Sequence, residues 1–532
     1  MNNVSLMPEQ IGWVLQQCNP DLMKSRIEKL MQWDRFQASQ GINRAAEQVA
    51  KWAGELGWLE YIEILYFEAN GQSQWWDFQA PLAWTPLRAT FQFQQLRLDH
   101  RVQPYALATY SCSGSDTFLL VDSHCPDESM QGKIVVIAEH DFVQHEWIYE
   151  LTHIGAAGFV TDAMTRQGFR GRIELPPDSP LFAFSVTTDE MALLQNQLND
   201  DNQCYVDILI DDSAPMPVVT ALSPGESSRE IWLTAHLCHS RAGANDNLSG
   251  IVALLETARL LQLHPGIKQD YRIRLVWGPE FLGVAALQHV LQEQAPPLVV
   301  INLDMVGEDQ AQFRSPFCIE FPPEHLHVPW VNEVTRIIDE VFHQTSDYPG
   351  EWREVPFSGF SDHALFMNYC DPEKNSPSIQ LCHIDDPYNH CAGDTLDKVS
   401  SVELKRSVAV VIALLVYLQQ QNISSLSIRP RSPLQCGHLY GHWDGPLNLR
   451  VLIQKLPAHL RTQVQQHIKQ DKCCLAVLHR MLLHADGCRT MDQIYRTSLR
   501  GMEKTPTAEA LHVMAQVLEH SEWVTRVNCK ES

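Results

Sequence analysis

The sequence is short of positive charge: 40 Lys and Arg stand against 64 Asp and Glu, leaving a net charge of −24. A surface of that sign repels nucleic acid and anionic membrane, so neither is expected as a partner. Long apolar runs are also missing. The longest candidate, Ser407 to Leu418, is too short for the roughly 20 residues a bilayer needs. The first ten residues, Met1-Asn-Asn-Val-Ser-Leu-Met-Pro-Glu-Gln10, hold no basic region followed by an apolar core, so a secretory signal is not expected. The 14 cysteines are scattered and form no Cys-x-x-Cys zinc frame. Reduced core thiols and a cytoplasmic location are the corresponding expectations. Internal repeats and low-complexity tracts are absent as well, which argues against solenoid and disordered architectures.

What is present is ordinary globular composition, 45% hydrophobic and 20% charged. With 532 residues, it must be divided among roughly three or four cores. Residues ~8–65 read as helices, Asp21 to Gln37 and Asn43 to Leu56, followed by strand-like runs at 61–66 and 89–93. Between those strands, Gln74-Trp-Trp-Asp-Phe to Pro86 either lines a pocket or packs on the core as a loop. Short β runs then dominate, including Gly132-Lys-Ile-Val-Val-Ile-Ala138 and Pro180 to Val186. From ~217 to 420 apolar strands (231–235, 271–277, 298–303, 378–382) alternate with helical segments, the pattern of a largely parallel sheet covered on both faces. Residues 421–440 read as a linker and the last ~90 as helices, with Gly487 in a helix–turn–helix pattern. A docking or dimer surface is the expected use of that last unit, ahead of DNA binding.

The chemistry concentrates at strand ends. His236-Leu-Cys-His239-Ser-Arg-Ala-Gly-Ala-Asn-Asp246-Asn-Leu-Ser-Gly250 places two imidazoles and a carboxylate between a buried strand and an amphipathic helix. Open α/β sheets bind ligands at the carboxyl ends of their strands. The strand 271–277 runs into Gly278-Pro279-Glu280, and 298–303 runs into Asp304. The strand 378–382 leads to His390 and Asp394-Thr-Leu-Asp397. Imidazole nitrogen and carboxylate oxygen are the donors of catalytic zinc sites. His236, Asp246, Glu280, Asp304 and His390 are therefore candidates to meet around one or two metal ions.

The order and local contexts of these residues resemble the zinc aminopeptidase family that also includes glutaminyl cyclases and glutamate carboxypeptidases. The likeness rests on Ala235-His236-Leu, Asn245-Asp246-Asn-Leu-Ser-Gly250, Pro279-Glu280, Asn302-Leu-Asp304-Met, Ser361-Asp362-His363 and His390…Asp394-Thr-Leu-Asp397. Asp34-Arg35 to Gly41, with Ala45 to Ala50, resembles the leading helix of that family, and 101–216 resembles an inserted protease-associated domain. The implied fold is α/β: a mostly parallel mixed sheet sandwiched by helices, with a β-rich insertion. The division implied is 1–100 and 217–422 for the catalytic domain, 101–216 for the insertion, and 436–532 for a helical, winged-helix-like C-terminal domain.

The resemblance implies zinc, with Asp246 shared by two ions, His236 and Asp304 on one, and Glu280 and His390 on the other. It implies hydrolysis of peptide or small amide substrates, an aminopeptidase above all. Two departures bring the chain nearer a bacterial aminopeptidase-like subset. The family's His-x-Asp is His236-Leu-Cys238-His239, which makes His239 an alternative ligand, and its Glu-Glu is Pro279-Glu280. Glu280 is then base or ligand, with Asp362 as a possible substitute acid. The alternatives are a mononuclear zinc amidohydrolase or cyclase, and an inactive peptidase fold that only binds.

Overall fold

The computed structural model describes residues 7–199, 201–264, 270–323, 326, 330–421, 423 and 434–528. Most of the expected linker lies outside the described residues. The largest sheet has eight strands, in the order Glu60–Phe67, Met216–Leu222, Tyr271–Gly278, Ser227–His236, Val299–Leu303, Ser378–Cys382, Phe317–Glu320 and Trp352–Val355. Its four middle strands, from Tyr271–Gly278 to Ser378–Cys382, run parallel. Antiparallel neighbours close them on either side. These four are buried along nearly their whole length, which is why they read as continuous apolar runs rather than alternation.

Register fixes where the functional loops emerge. His236 lies opposite Gly278, and Thr234 lies opposite Asn302. The residues that follow those strand ends, Glu280 and Asp304, therefore emerge at the same edge of the sheet.

Helices cover one face. Ser401–Gln419 packs against Met7–Gln17, Gly250–Leu263 and Val331–Gln344, and Gln40–Glu55 lies on the strand Met216–Leu222. Ser401–Gln419 and Gly250–Leu263 are apolar almost all round because each is buried between sheet and neighbouring helices. The helix expected to run to Gln37 ends at Leu30. Its continuation is drawn into a loop because Arg35 pairs its backbone with His239 in both directions (2.7 and 2.8 Å).

A second sheet of seven strands forms the insertion, and it begins earlier than the sequence suggests. Thr85–Phe93 and Leu96–Asp99, expected with the N-terminal segment, pair within it, and its last strand in the chain is Gln203–Asp211. The pairing partner for Thr85–Phe93 lies more than a hundred residues downstream, and local pattern does not reveal such a partner.

The last unit holds five helices between Leu449 and His520 and a two-stranded ribbon, Leu439–Gly441 with Val524–Arg526, around its own apolar cluster. Gly487 turns the chain at φ +76° between Cys473–His484 and Met491–Leu499, as the pattern predicts. Cys436 is disulfide-bonded, against the expectation of reduced thiols, whereas the buried Cys18, Cys204, Cys318, Cys382, Cys391 and Cys474 are free. Among the described residues no helix is long and apolar enough to cross a membrane.

Candidate metal centre

His236 closes its strand, and its imidazole is held by the Cys238 carbonyl at 3.1 Å from Nδ1. Its Nε2 faces Asp304 Oδ1 at 3.1 Å and Asp246 Oδ1 at 3.2 Å. The other oxygen of Asp246, Oδ2, lies 3.1 Å from His239 Nε2 and 3.3 Å from His390 Nε2. One buried carboxylate thus offers one oxygen to each of two groups of imidazoles.

Two clusters of potential ligand atoms result. One is His239, Asp246 and His390; the other is His236, Glu280 and Asp304. Within each, the donor atoms lie within 4.8 Å of one another. All six sequence candidates are brought together, but in a different grouping from that implied by the resemblance. Glu280 stands with His236 and Asp304 instead of with His390. His239 is no substitute for His236; both imidazoles are present, and His239 occupies the place beside His390. The reason is the additional imidazole in His236-Leu-Cys-His239. The Arg35–His239 backbone pairing draws the loop across the N-terminal segment, and the ring of His239 is fixed from outside by the Tyr105 hydroxyl, 3.1 Å from Nδ1. Tyr105 comes from the insertion, more than a hundred residues away in the chain, and no local motif marks it.

The turn that carries Asp246 is held almost atom by atom. Asp394 accepts the backbone N–H groups of Asn245 and Asp246 at 2.7 and 2.9 Å. Asn245 donates to Asp386 and accepts from Gly307 N–H. Asn247 donates to the Leu303 carbonyl and accepts from Met305 N–H. Ser249 accepts from Val306 N–H. Asn245, Asn247 and Ser249 thereby tie the Asp246 turn to the end of the Asp304 strand. A Cβ at Gly250 would meet the Leu303 carbonyl oxygen at 2.5 Å, so only glycine permits this approach. The Asp246–Asn247 peptide is cis.

Arg35 braces the other end of the loop. Its buried guanidinium donates to the carbonyls of Leu30, Trp33, Leu237 and Ala242. Burial pulls its pKa down to about 10, so it stays charged near neutrality. Asp34 accepts from Arg241 N–H and Nε at 3.0 and 2.9 Å and sits 3.0 Å from His100 of the insertion. Cys238 has its own use: its sulfur accepts the Glu280 N–H at 3.1 Å. Asp362 accepts the Phe281 N–H at 2.6 Å, which fixes the same turn from its other side.

Electrostatics follow from this crowding. Burial pushes Asp246 up, but His239, His236 and His390 together hold it well below the usual carboxylate range. Burial, reinforced by Asp304, Asp362 and Asp246, pushes Glu280 up to about 8 despite His236. Asp362 rises to about 6, chiefly through burial. Burial lowers His390 to about 4, so its ring is neutral and its nitrogen is free to ligate. Burial opposes the charge of Arg172, yet Glu174, Tyr105, Asp246 and Glu280 outweigh it.

The residues fit a bound cation. His239 Nε2 is buried and has no hydrogen-bond partner of acceptable angle, although Asp246 is 3.1 Å away. Such an orphaned nitrogen is costly unless something other than a proton donor or acceptor takes it. Two buried carboxylates and the half-buried Glu280 beside imidazoles, with nitrogen and oxygen donors only, suit zinc.

Fold and site together give a parallel α/β sheet with two groups of possible metal-ligating side chains at its strand ends. Residues 217–415 match the sequence model of peptidase family M28. Three solved structures share the fold. A putative peptidase from Clostridium acetobutylicum is 15% identical with a TM-score of 0.57, over 98% of this chain and 99% of that one. The zinc aminopeptidase BSAP from Bacillus subtilis is 17% identical with a TM-score of 0.54, over 77% and 98%. A peptidase M28 precursor from Shewanella amazonensis is 14% identical with a TM-score of 0.55, over 81% and 99%. No curated protein sequence matches the chain.

Proposed function

We propose that the protein is a zinc-dependent exopeptidase, an aminopeptidase that removes N-terminal residues from short peptides. The observation that carries the reading is His239 beside His390 on Asp246 Oδ2. Asp246, His236 and Asp304 would hold one ion, and Asp246, His239 and His390 a second. Three protein ligands on each would leave a position open for chemistry. His239 takes over the ligand role that the resemblance gives to Glu280, and Glu280 is released to serve as the base in place of the glutamate lost at Pro279. The two departures from the family pattern are thereby one exchange.

Bound zinc would acidify a water and polarise the scissile carbonyl. The chain's own residues do the rest. Glu280, half-buried at the edge of the cleft, accepts the proton of the attacking water and returns it to the leaving amine. Cys238 and Asp362 hold the Glu280–Phe281 turn so that this carboxylate points at the site. Arg172, held near Asp246 and Glu280 by the insertion, stabilises the oxyanion that develops on the substrate carbonyl.

The test is metal content per chain together with turnover of leucine amide and short peptides. Wild type is expected to hold about two zincs, and His239→Ala about one. Glu280→Gln should keep both ions and lose about 10²–10⁴ in kcat. Arg172→Gln should keep both and lose about 10²-fold or more in kcat. Loss of an ion in Glu280→Gln makes Glu280 a ligand and sinks the assignment of His239. Two ions with no turnover of any peptide or amide sinks the peptidase reading.

A further inference from the structure

The cleft that opens from Glu280 and His390 has a volume of about 990 Å³. That is the upper end of pockets built for small molecules, and too small for a folded protein. Three separate parts of the chain wall it. The N-terminal turn around Phe78 and Leu82, with Phe281, gives it an apolar floor. The insertion brings Glu174 and Asp178. The C-terminal helical unit brings Leu449, Arg450, Lys472 and Leu475. These last four lie outside the segment that matches the family.

Arg450 stands beside Phe281. Its guanidinium carbon stands 6.0 Å from the centroid of the Phe281 ring, and Phe281 directly follows Glu280. Among the described residues neither Arg450 nor Lys472 forms a salt bridge, whereas Arg489 and Lys504 of the same unit pair with Asp486 and Asp471. Two unpaired cations in the cleft of a chain of net charge −24 offset the field that would otherwise repel an anion. The cleft is thus divided, with carboxylates on the insertion wall, cations on the C-terminal wall and apolar side chains between.

We propose that the C-terminal helical unit is the substrate-selecting wall of this site. Arg450 and Lys472 receive the free carboxylate of a short peptide whose first amide lies at Glu280, and Phe281, Leu449 and Leu475 hold its apolar side chains. The assignment rests on the peptidase reading of the metal centre. It commits the enzyme to small peptides with a free C-terminus over amidated peptides and protein chains.

The experiment uses trileucine with its first amide reduced to a methyleneamine, prepared as free acid and as C-terminal amide. Binding of each is measured by calorimetry to wild type and to the Arg450→Gln, Lys472→Gln double variant. Both positions are exposed, so folding is not at risk, and circular dichroism checks it. Wild type is expected to bind the acid at least tenfold tighter than the amide, and the double variant to bind the two alike. Turnover of unmodified trileucine acid and amide should show the same collapse of the ratio, through KM. Equal affinity for acid and amide in wild type overturns the proposal, as does a preference that survives in the variant. A binding preference without any peptide cleavage removes the peptidase reading and leaves the carboxylate site standing; cleavage without a preference does the reverse.

Discussion

Asp246 and Glu308 show two opposite fates of a buried carboxylate. Asp246 is surrounded by three imidazoles and held ionised. Glu308 is surrounded by other acids. Burial, with Asp386 and Asp394 nearby, pushes it up to about 9, and its oxygens lack well-formed hydrogen bonds among the described residues. It is therefore protonated in the folded protein at neutral pH, whereas the unfolded chain releases that proton above about 4.5. Between those values the unfolded state binds fewer protons, so this residue makes stability fall as pH rises. Glu308→Gln keeps the shape and removes the titration. Its melting temperature should exceed that of wild type by about 2–4 °C or more at pH 8, with the difference shrinking at pH 5. A loss of stability equal at both pH values would show that Glu308 is ionised and paired.

The loops at the strand ends, more than the strands, decide what the site is. The segment 236–250 is fixed by Asp394 and Asn245 on one side and by Arg35 on the other. Arg35 spans four carbonyls, a task that the point charge of lysine cannot perform. Arg35→Lys should weaken the ion held by His239 at least tenfold in competition with a chelator, while the ion at His236 and Asp304 is retained longer. Simultaneous release of both ions would show that Arg35 serves the fold generally and not this loop. The same loops mark the limit of what the sequence discloses. Strand ends carrying His236, Asp304 and Glu280 were legible because apolar runs stop abruptly at polar residues, and Asp246 was legible from its motif. How the six side chains divide was not. It depends on the pairing of Arg35 with His239 and on Tyr105 from the insertion, contacts between residues more than a hundred positions apart. The early start of the second sheet was hidden for the same reason, since Thr85–Phe93 finds its partner only at Gln203–Asp211.

At the scale of the molecule, the insertion and the C-terminal unit converge on one cleft. The insertion reaches the metal centre through Tyr105 and Arg172, and its Arg172 N–H donates to the His390 carbonyl at 2.9 Å. The C-terminal unit is fastened through Asn368, whose carbonyl accepts from Trp443 Nε1 at 2.7 Å and from Leu447 N–H at 3.1 Å. The side chain of Asn368 also meets His479 at 3.1 Å. Trp443 packs beside Leu326, Phe357 and Leu483 in a small cluster that joins the two units. Removing the half-buried Trp443 ring costs less than the ~3–5 kcal/mol of a fully buried one, and the cost falls on the attachment, because the main sheet has its own core. Trp443→Ala should therefore make residues 434–528 the first target of limited proteolysis, at protease levels that leave wild type intact, while zinc content stays at the wild-type value. The KM for peptides with a free carboxylate should rise in step with that loosening. If the variant resists protease as wild type does, the C-terminal unit is anchored elsewhere and Asn368 is not its fastening point. If zinc is lost together with protease resistance, the metal centre and the C-terminal unit unfold as one.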